Sequence, residues 1–386
     1  MRYAFRKKYL LVLIGLLDFL GYCVTFLPRL FFKKQLGQVR KILVVRLDHI
    51  GDVLYSSVVL ENLKKQFPTA HITVLVGSWA QGVLANNPYL DRLMVYDAPW
   101  FSRQHKRIFG LRSYLRLIRH LKEEHFDLGL ELRGDFRHIL LMALAGVTYK
   151  VGYGITGGGF LLDRRVYYQE DAHVLEHALE VLRSIRVNIT RTNPQFFIAK
   201  EDDAQARALW EAWGVVKDDT LVVLHPYAGF SSKHWLDERF CALAEELSKE
   251  LAAKIAFVGS DADKERIEAL RKRCSAPLFN AAGATTLGML ARLLKRADLF
   301  IGVDSGPSHL AAVMRTPSVV LYSATNRQHV WGPLGENTIV IQKDVPCGNC
   351  QKLDCRRHDC METISVDEVV EVAVRLAKEK SSRVES

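Results

Sequence analysis

Short apolar runs and helical repeats alternate along most of the chain. Lys41–Leu47 and His71–Gly77 are β-branched, nearly uninterrupted apolar runs. Between them, Val53–Phe67 spaces its apolar residues as a helix does and ends at Pro68. Continuous apolar strands separated by amphipathic helices predict a parallel sheet covered on both faces. Further strands are predicted at Leu93–Tyr96, Asp127–Leu132 and Lys150–Tyr153; the pattern fades over Gly154–Asp171, where Gly157-Gly158-Gly159 reads as a loop. A second series starts after Asn193-Pro194. Its predicted strands are Phe196–Ala199, Leu221–His225, Lys254–Gly259, Asp298–Val303 and Ser318–Tyr322. Its helices are Asp203–Trp213, Asp237–Leu251, Ala262–Arg273, Thr286–Arg296 and Ser305–Met314, and a last helix, Val366–Lys380, follows a cysteine-rich loop. The expected fold is α/β with two doubly wound domains, 39–192 and 193–345, preceded by an apolar segment 1–38 and followed by a tail 346–386. Ligands are expected at the carboxyl ends of the strands, in a cleft between the domains.

The segment before the first strand follows neither pattern. Leu10 to Leu27 is apolar except for Asp18. Eighteen helical residues reach about 27 Å, barely the hydrocarbon thickness of a bilayer. No small-residue cleavage site follows before Pro28-Arg29, so a cleaved signal peptide fits poorly. Asp18, Tyr22, Thr25 and Arg29 fall on one narrow helical stripe, which suits a helix lying in the interface or packed on its own protein better than a free span. A single span stays open, because positive charge on both flanks selects no orientation.

Charge sharpens this picture. Of the formal net charge of +10, residues 1–41 carry +8: nine basic side chains against Asp18 alone. The remaining chain is nearly neutral, which argues against a nucleic-acid footprint and for an anionic membrane surface as partner of the first segment. With 49% hydrophobic and 25% charged residues, the 386-residue chain is an ordinary globular protein, and seven cysteines are too few for a disulfide scaffold. One further basic stretch, 102–122, holds Arg103, Lys106, Arg107, Arg112, Arg116, Arg119 and Lys122 and no acid; it reads as an anionic-acceptor contact, a second membrane contact or a solvated helix face.

Several strand-to-helix turns carry chemistry. In Arg46-Leu-Asp-His-Ile-Gly-Asp52, Asp52 is either a helix-start acid or a carboxylate able to take a proton from a hydroxyl. In His225–Trp235, Gly229, Ser231, Ser232 and Lys233 suit a phosphate without forming a Walker motif. In Gly302–His309, Ser305 and Gly306 open a helix whose N–H groups suit a pyrophosphate, with His309 one turn further in. Asp261, after Phe257-Val-Gly-Ser, is an acid suited to ribose hydroxyls. Arg133, Asp135 and Arg137 follow the strand Asp127–Leu132 and are candidate acceptor contacts.

From Lys41 to the last helix the chain resembles glycosyltransferase family 9, the bacterial heptosyltransferases of the lipopolysaccharide inner core. Three ordered motifs carry the resemblance: Gly51-Asp52 after the first strand, His225-Pro-x-Ala-Gly … Lys233-x-Trp235, and Asp304-Ser-Gly-x-x-His309. The resemblance implies a GT-B fold of two Rossmann-like domains and inverting transfer from ADP-heptose to an anionic glycolipid acceptor, at the cytoplasmic face of the inner membrane. It places Asp52 on the general base, and Ser231, Ser232, Lys233, Asp261, Thr285, Asp304, Ser305, Gly306 and His309 on the donor side. It implies no cofactor for catalysis, since Lys233 and the helix N–H groups can stabilise the leaving diphosphate. Arg133 and Arg137 remain the acceptor candidates. Another nucleotide sugar is the nearest alternative. An epimerase of the same fold is disfavoured by the basic stretch 102–122, and a catalytically silent sugar-nucleotide sensor by the intact motif residues.

Cys347, Cys350, Cys355 and Cys360 gather four cysteines into fourteen residues, a spacing that predicts a structural zinc site, with His358 as a substitute ligand and an iron–sulfur cluster or free thiols as the alternatives. Cys23, Cys241 and Cys274 fall in helical patterns and read as packing residues.

Overall fold

The apolar runs become the strands of two sheets, each wholly parallel. The computed structural model describes residues 8–31, 34–101 and 110–384. The chain divides into two compact units, Met1–Gln195 and Phe196–Ser386. In the first unit the strands are β1 (Lys41–Val45), β2 (His71–Val76), β3 (Arg92–Val95), β4 (Leu128–Glu131), β5 (Tyr149–Gly152) and β6 (Arg164–Arg165). Its helices are α1 (Lys8–Phe31), α2 (Ile50–Tyr55), α3 (Ser57–Gln66), α4 (Gln81–Leu84), α5 (Leu111–Glu123), α6 (Phe136–Leu144) and α7 (Val174–Ser184). In the second unit the strands are β7 (Leu221–His225), β8 (Lys254–Phe257), β9 (Leu278–Asn280), β10 (Leu299–Val303), β11 (Ser318–Tyr322) and β12 (Thr338–Gln342). Its helices are α8 (Lys200–Ala212), α9 (Asp237–Leu251), α10 (Lys264–Arg273), α11 (Leu287–Arg296), α12 (Gly306–Val313), α13 (Gln328–Trp331), α14 (Asp359–Glu362) and α15 (Val366–Val384).

The strand orders are β3-β2-β1-β4-β5-β6 and β12-β11-β10-β7-β8-β9. Both are the doubly wound order in which chain direction across the sheet reverses next to the first strand. The reversal lies between β1 and β4 in one unit and between β7 and β10 in the other, where Val44 stands opposite Leu130 and Gly302 opposite His225. The central strands are buried on both faces, as β1 (Ile42 to Val45) and β7 (Leu221 to Leu224) show.

The structure departs from the sequence pattern in instructive places. Phe196–Ala199 forms no strand; the run supplies apolar side chains but no ladder partner, and it leads directly into α8. The helix expected over Val53–Phe67 is two helices broken at Ser56, whose hydroxyl donates to the Asp52 carbonyl four residues back at 2.8 Å. Strands β6 and β9, two and three residues long, carry no distinctive apolar run, whereas β12 is the β-branched run Thr338-Ile-Val-Ile-Gln342, an edge strand not among those expected above. The tail is no appendage: Val369, Ala373 and Leu376 of α15 belong to the core of the second unit, together with Cys360 and Met361. Cys241 and Cys274 are not merely packed but joined in a disulfide between α9 and the end of α10. Arg103, Lys106 and Arg107 lie outside the described residues, while Arg112, Arg116, Arg119 and Lys122 form the exposed side of α5, opposite buried Tyr114, Leu117 and Leu121.

Trp235 fixes the tail to the sheet. It is buried, packs edge-on against Phe240 at 5.1 Å, and donates its indole N–H to the Ile364 carbonyl at 3.1 Å. Trp235→Ala is expected to destabilise the protein by about 3–5 kcal/mol, the cost of emptying a large buried site. Urea unfolding followed by circular dichroism checks this; a loss below about 1 kcal/mol would show that the tail docks without it.

Candidate functional site

In the first unit the site forms where β1 and β4 end, at the sheet reversal. Arg46 leaves β1 buried, with Nη1 donating to the Leu132 carbonyl after β4. Its Nη2 lies 3.3 Å from Asp52 Oδ1 and 3.7 Å from Asp48 Oδ2. Asp48 is also buried and gathers more: Arg133 Nη1 at 3.1 Å and the His49 backbone N–H at 2.9 Å. Asp52 does not cap the helix. His49 is the N-cap, and its side chain bonds none of the free N–H groups of α2. Asp52 is thus a helix-start acid, in the first turn of α2 rather than at its cap, and its side-chain partners are the guanidinium of Arg46 and the carboxyl of Asp48.

The two carboxyls titrate apart. Burial and the negative charge of Asp48 push Asp52 up to about 7, against the opposing pull of Arg46 and Arg133. Burial also acts on Asp48, but Arg46, Arg133 and His49 outweigh it and hold Asp48 below its ordinary value. The two buried carboxyls are coupled, and their surroundings push them apart: Asp52 upward and Asp48 downward. Near neutral pH, Asp52 is thus poised to gain or lose a proton, the property a general base needs.

Arg133 and Arg137 are set by the turn after β4. Glu131, fully buried, accepts the backbone N–H groups of Arg133, Gly134 and Asp135 at 2.5–3.3 Å and bonds His138 Nδ1 at 3.0 Å. Gly134, at φ +84, supplies the left-handed residue that this tight cradle requires. Asp135 caps α6 and pairs with Arg137, whose guanidinium lies over Trp100; that of Arg133 lies over Phe101, each 4.7 Å from the ring centre. Phe101 in turn stacks on Trp79, whose indole N–H donates to the Asp48 carbonyl at 2.8 Å. Arg46, Asp48 and Glu131 go unassigned from sequence although two of them stand in the turn Arg46–Asp52 that carries the first motif. The signal is their charge beside an apolar strand, which promises burial and therefore partners.

The second unit repeats the arrangement at β7 and β10. Lys233 Nζ lies 2.5 Å from Asp304 Oδ2, bringing the Lys-x-Trp and Asp-Ser-Gly motifs together. Ser305, the N-cap of α12, lies with its hydroxyl 3.1 Å from His225 Nδ1. Burial drives the His225 pKa down to about 4, so its ring is neutral at pH 7. Gly306 begins α12 and His309 is buried within it. Asp261, exposed, follows β8, the neighbour of β7, so it stands on the same sheet edge. Thr285 is half-buried on the loop before α11. Ser231 and Ser232 are differently engaged: their hydroxyls donate to the Asp354 carboxylate at 2.5 Å and the Lys352 carbonyl at 2.7 Å. They tie the turn to the cysteine-rich loop.

That loop does not fit a zinc centre. Among the described residues no three His, Cys, Asp or Glu side chains converge as a metal site requires. Cys347 is exposed, Cys350 and Cys355 are half-buried, and Cys360 belongs to the apolar core, where burial pushes its thiol pKa up. His358 starts α14 with a left-handed backbone, its Nε2 buried without a hydrogen-bond partner. Burying Cys360 against apolar side chains draws it into packing rather than ligation.

Similarity to known proteins agrees with this geometry. The sequence profile described as "Glycosyltransferase family 9 (heptosyltransferase)" matches residues 114–360. Lipopolysaccharide heptosyltransferase 3 of Escherichia coli K12 is 28% identical over 313 residues, covering 79% of this chain and 88% of that protein. The crystal structure of a family 9 glycosyl transferase from Veillonella parvula superposes with a TM-score of 0.75 at 23% identity, over 90% of this chain and all of that one. E. coli ADP-heptose lipopolysaccharide heptosyltransferase II follows at 0.71 and 20%, over 88% and 99%. The structural likeness shows the fold, two Rossmann-like units of the GT-B class, and with more than half its length matched by the profile, the chain belongs to glycosyltransferase family 9.

Proposed function

We propose that the chain transfers a heptose from ADP-heptose to the anionic inner core of lipopolysaccharide, with inversion, at the cytoplasmic face of the inner membrane. The observation that carries this reading is Asp52, a buried carboxyl poised near neutrality in a family 9 motif. The acceptor hydroxyl gives its proton to the Asp52 carboxylate as its oxygen forms the new bond to the anomeric carbon. The bond from that carbon to the diphosphate breaks, and ADP leaves with the electron pair. One base suffices, because the leaving diphosphate needs charge stabilisation rather than a proton.

Lys233 and the N–H groups opening α12 supply that stabilisation. The Asp304 carboxylate holds Lys233 in place, so Asp304 acts on the phosphates through Lys233. Asp261 suits the ribose hydroxyls, and Thr285 and His309 line the donor side. Ser231 and Ser232 shape the turn through the 352–354 backbone and carboxylate. Arg133 and Arg137, with one flank fixed by aromatic rings, suit phosphate and carboxylate on the acceptor, and the exposed cations of α5 add to the field that steers it.

The rate of transfer is expected to rise with pH through an apparent pKa near 7, as Asp52 loses its proton. Asp48→Asn removes the negative neighbour and frees Arg46 and Arg133 for Asp52. The acid limb of the kcat/KM profile should then move to lower pH; an unmoved limb would mean that Asp48 does not set it. Asp52→Asn should lower kcat by about 10²–10⁴-fold, the range for a lost general base, with ADP binding kept.

Calorimetry with ADP, UDP, GDP and CMP is expected to show selective ADP binding, weakened by about tenfold or more in Lys233→Ala, as for the loss of one charge-assisted contact. Selective UDP or GDP binding would assign a different donor sugar to the same fold. Binding of none would overturn the donor assignment.

A further inference from the structure

The helix α1 is built inside out. At 100° per residue, Ile14, Asp18, Gly21, Tyr22 and Thr25 share one side. This side, which carries the polar stripe, faces the protein. Asp18 is only 3% exposed and its Oδ1 accepts the Gly158 N–H at 2.7 Å. The Tyr22 hydroxyl accepts from Arg165 Nη1 at 3.1 Å, and its ring meets Phe160 edge-on. Thr25 returns its hydroxyl to the Gly21 carbonyl. Glycines on both partners let the surfaces close: a methyl group at Gly21 would run into the Phe160 ring, and one at Gly157 into Ile14. Gly157-Gly158-Gly159 is therefore the seat of α1.

The opposite side is apolar and faces outward. Val12, Leu16, Leu17, Phe19, Leu20 and Val24 are 49–76% exposed. They cover about 160° of the helix and about 18 Å of its length. A surface helix ordinarily buries its apolar stripe and exposes its polar one. The reversal leaves a contiguous apolar face that marks an interaction surface.

We propose that this face rests in an anionic lipid surface with α1 lying parallel to it, so that the first unit is held on the membrane without a span. The inference deepens the proposed function, on which it rests for the lipid nature of the acceptor. Charge selects lipid over a second copy of the chain. Arg2, Arg6, Lys7 and Lys8 precede the apolar face in sequence, Arg29, Lys33 and Lys34 follow it, and no acid but the inward Asp18 lies among them. Two copies meeting through this face would bring like charges together at both ends in either orientation, whereas anionic headgroups would neutralise them. The seat argues against a span. Asp18 and Tyr22, in the middle of the helix, are bound to the unit's own loop, and no helix among the described residues is long and apolar enough to cross a membrane.

The test is co-sedimentation of the full chain with vesicles of phosphatidylethanolamine and phosphatidylglycerol, against phosphatidylcholine alone. The parent should pellet with the anionic vesicles and at least tenfold less with the neutral ones. Phe19→Glu/Leu20→Glu, on the exposed side, should lose pelleting, while Phe19→Leu keeps it. An unchanged near-ultraviolet spectrum shows that the double variant is folded. Unchanged pelleting of the folded double variant would overturn the proposal, as would a parent that ignores lipid but dimerises through this face in light scattering. An NBD label at Cys introduced in turn at residues 12, 16, 20 and 24, with Cys23, Cys347, Cys350 and Cys355 replaced by Ser, reports depth through lipid-borne quenchers. Equal shallow depths support a helix in the plane, and a steady gradient from 12 to 24 would overturn it in favour of a span. Transfer to a lipid-free core oligosaccharide should be the same in parent and double variant. Absence of transfer in both would count against the proposed function alone and leave the lipid result standing.

Discussion

A parallel sheet must return every connection over one of its faces, and in the order adopted by both units the connections diverge beside the first strand. At that point the carboxyl ends of two adjacent strands open onto a gap that the flanking helices do not cover. The charged and polar groups of each site collect there. Arg46, Asp48 and Asp52 leave β1, while Glu131 ends β4 and Arg133 follows it; His225 ends β7, and Asp304 and Ser305 follow β10. The strand interiors behind them are apolar and buried. Strand order thus decides where a charge can be buried and still find partners.

In the first unit those partners are shared unequally. Asp48 receives two guanidiniums and a backbone N–H, whereas Asp52 receives one guanidinium and a carboxyl. Burial acts to raise both, but at Asp48 the cations outweigh it, so Asp48 is held below its ordinary value while Asp52 is pushed above it. A separated pair of carboxyls is the recurring way to keep one acid near neutrality and its neighbour ionised. Lys233 and Asp304 in the second unit are a matched pair, one cation to one anion. That pairing aims a charge. The unequal one tunes a proton.

The fold is largely legible in the sequence, because long buried strands such as Leu221–His225 and a strongly amphipathic helix such as Asp237–Leu251 announce themselves by period and length. Phe196–Ala199 misleads because pairing is a property of the neighbour, which a four-residue run does not specify. The motif residues are legible as a set, but their engagement is not. Sequence spacing puts Ser231 and Ser232 beside Lys233, yet their hydroxyls turn to residues more than a hundred positions away. Spacing likewise gathers four cysteines, but Cys360 is buried in the apolar core while Cys347 is exposed, so the four do not share one environment. Asp48 is hidden for a related reason: its role depends on Arg133, 85 residues on, which only the pairing of β1 with β4 brings near.

Helical period tells which residues share a face, but not toward which side the protein lies. For α1 the ordinary rule, apolar side inward, gives the wrong answer, and the reason is local. A carboxylate in the middle of an apolar helix needs a donor, and in hydrocarbon it finds none. Gly158, at φ +78 in a run of three glycines, offers an unhindered backbone N–H to Asp18. A glycine triplet beside a Rossmann-like sheet suggests a phosphate loop, but here it follows β5, one strand beyond the sheet reversal, and its N–H is occupied by a side chain of the same unit. Once Asp18 is held there, rotation about the helix axis is fixed, and Leu16, Phe19 and Leu20 can only face away from the protein.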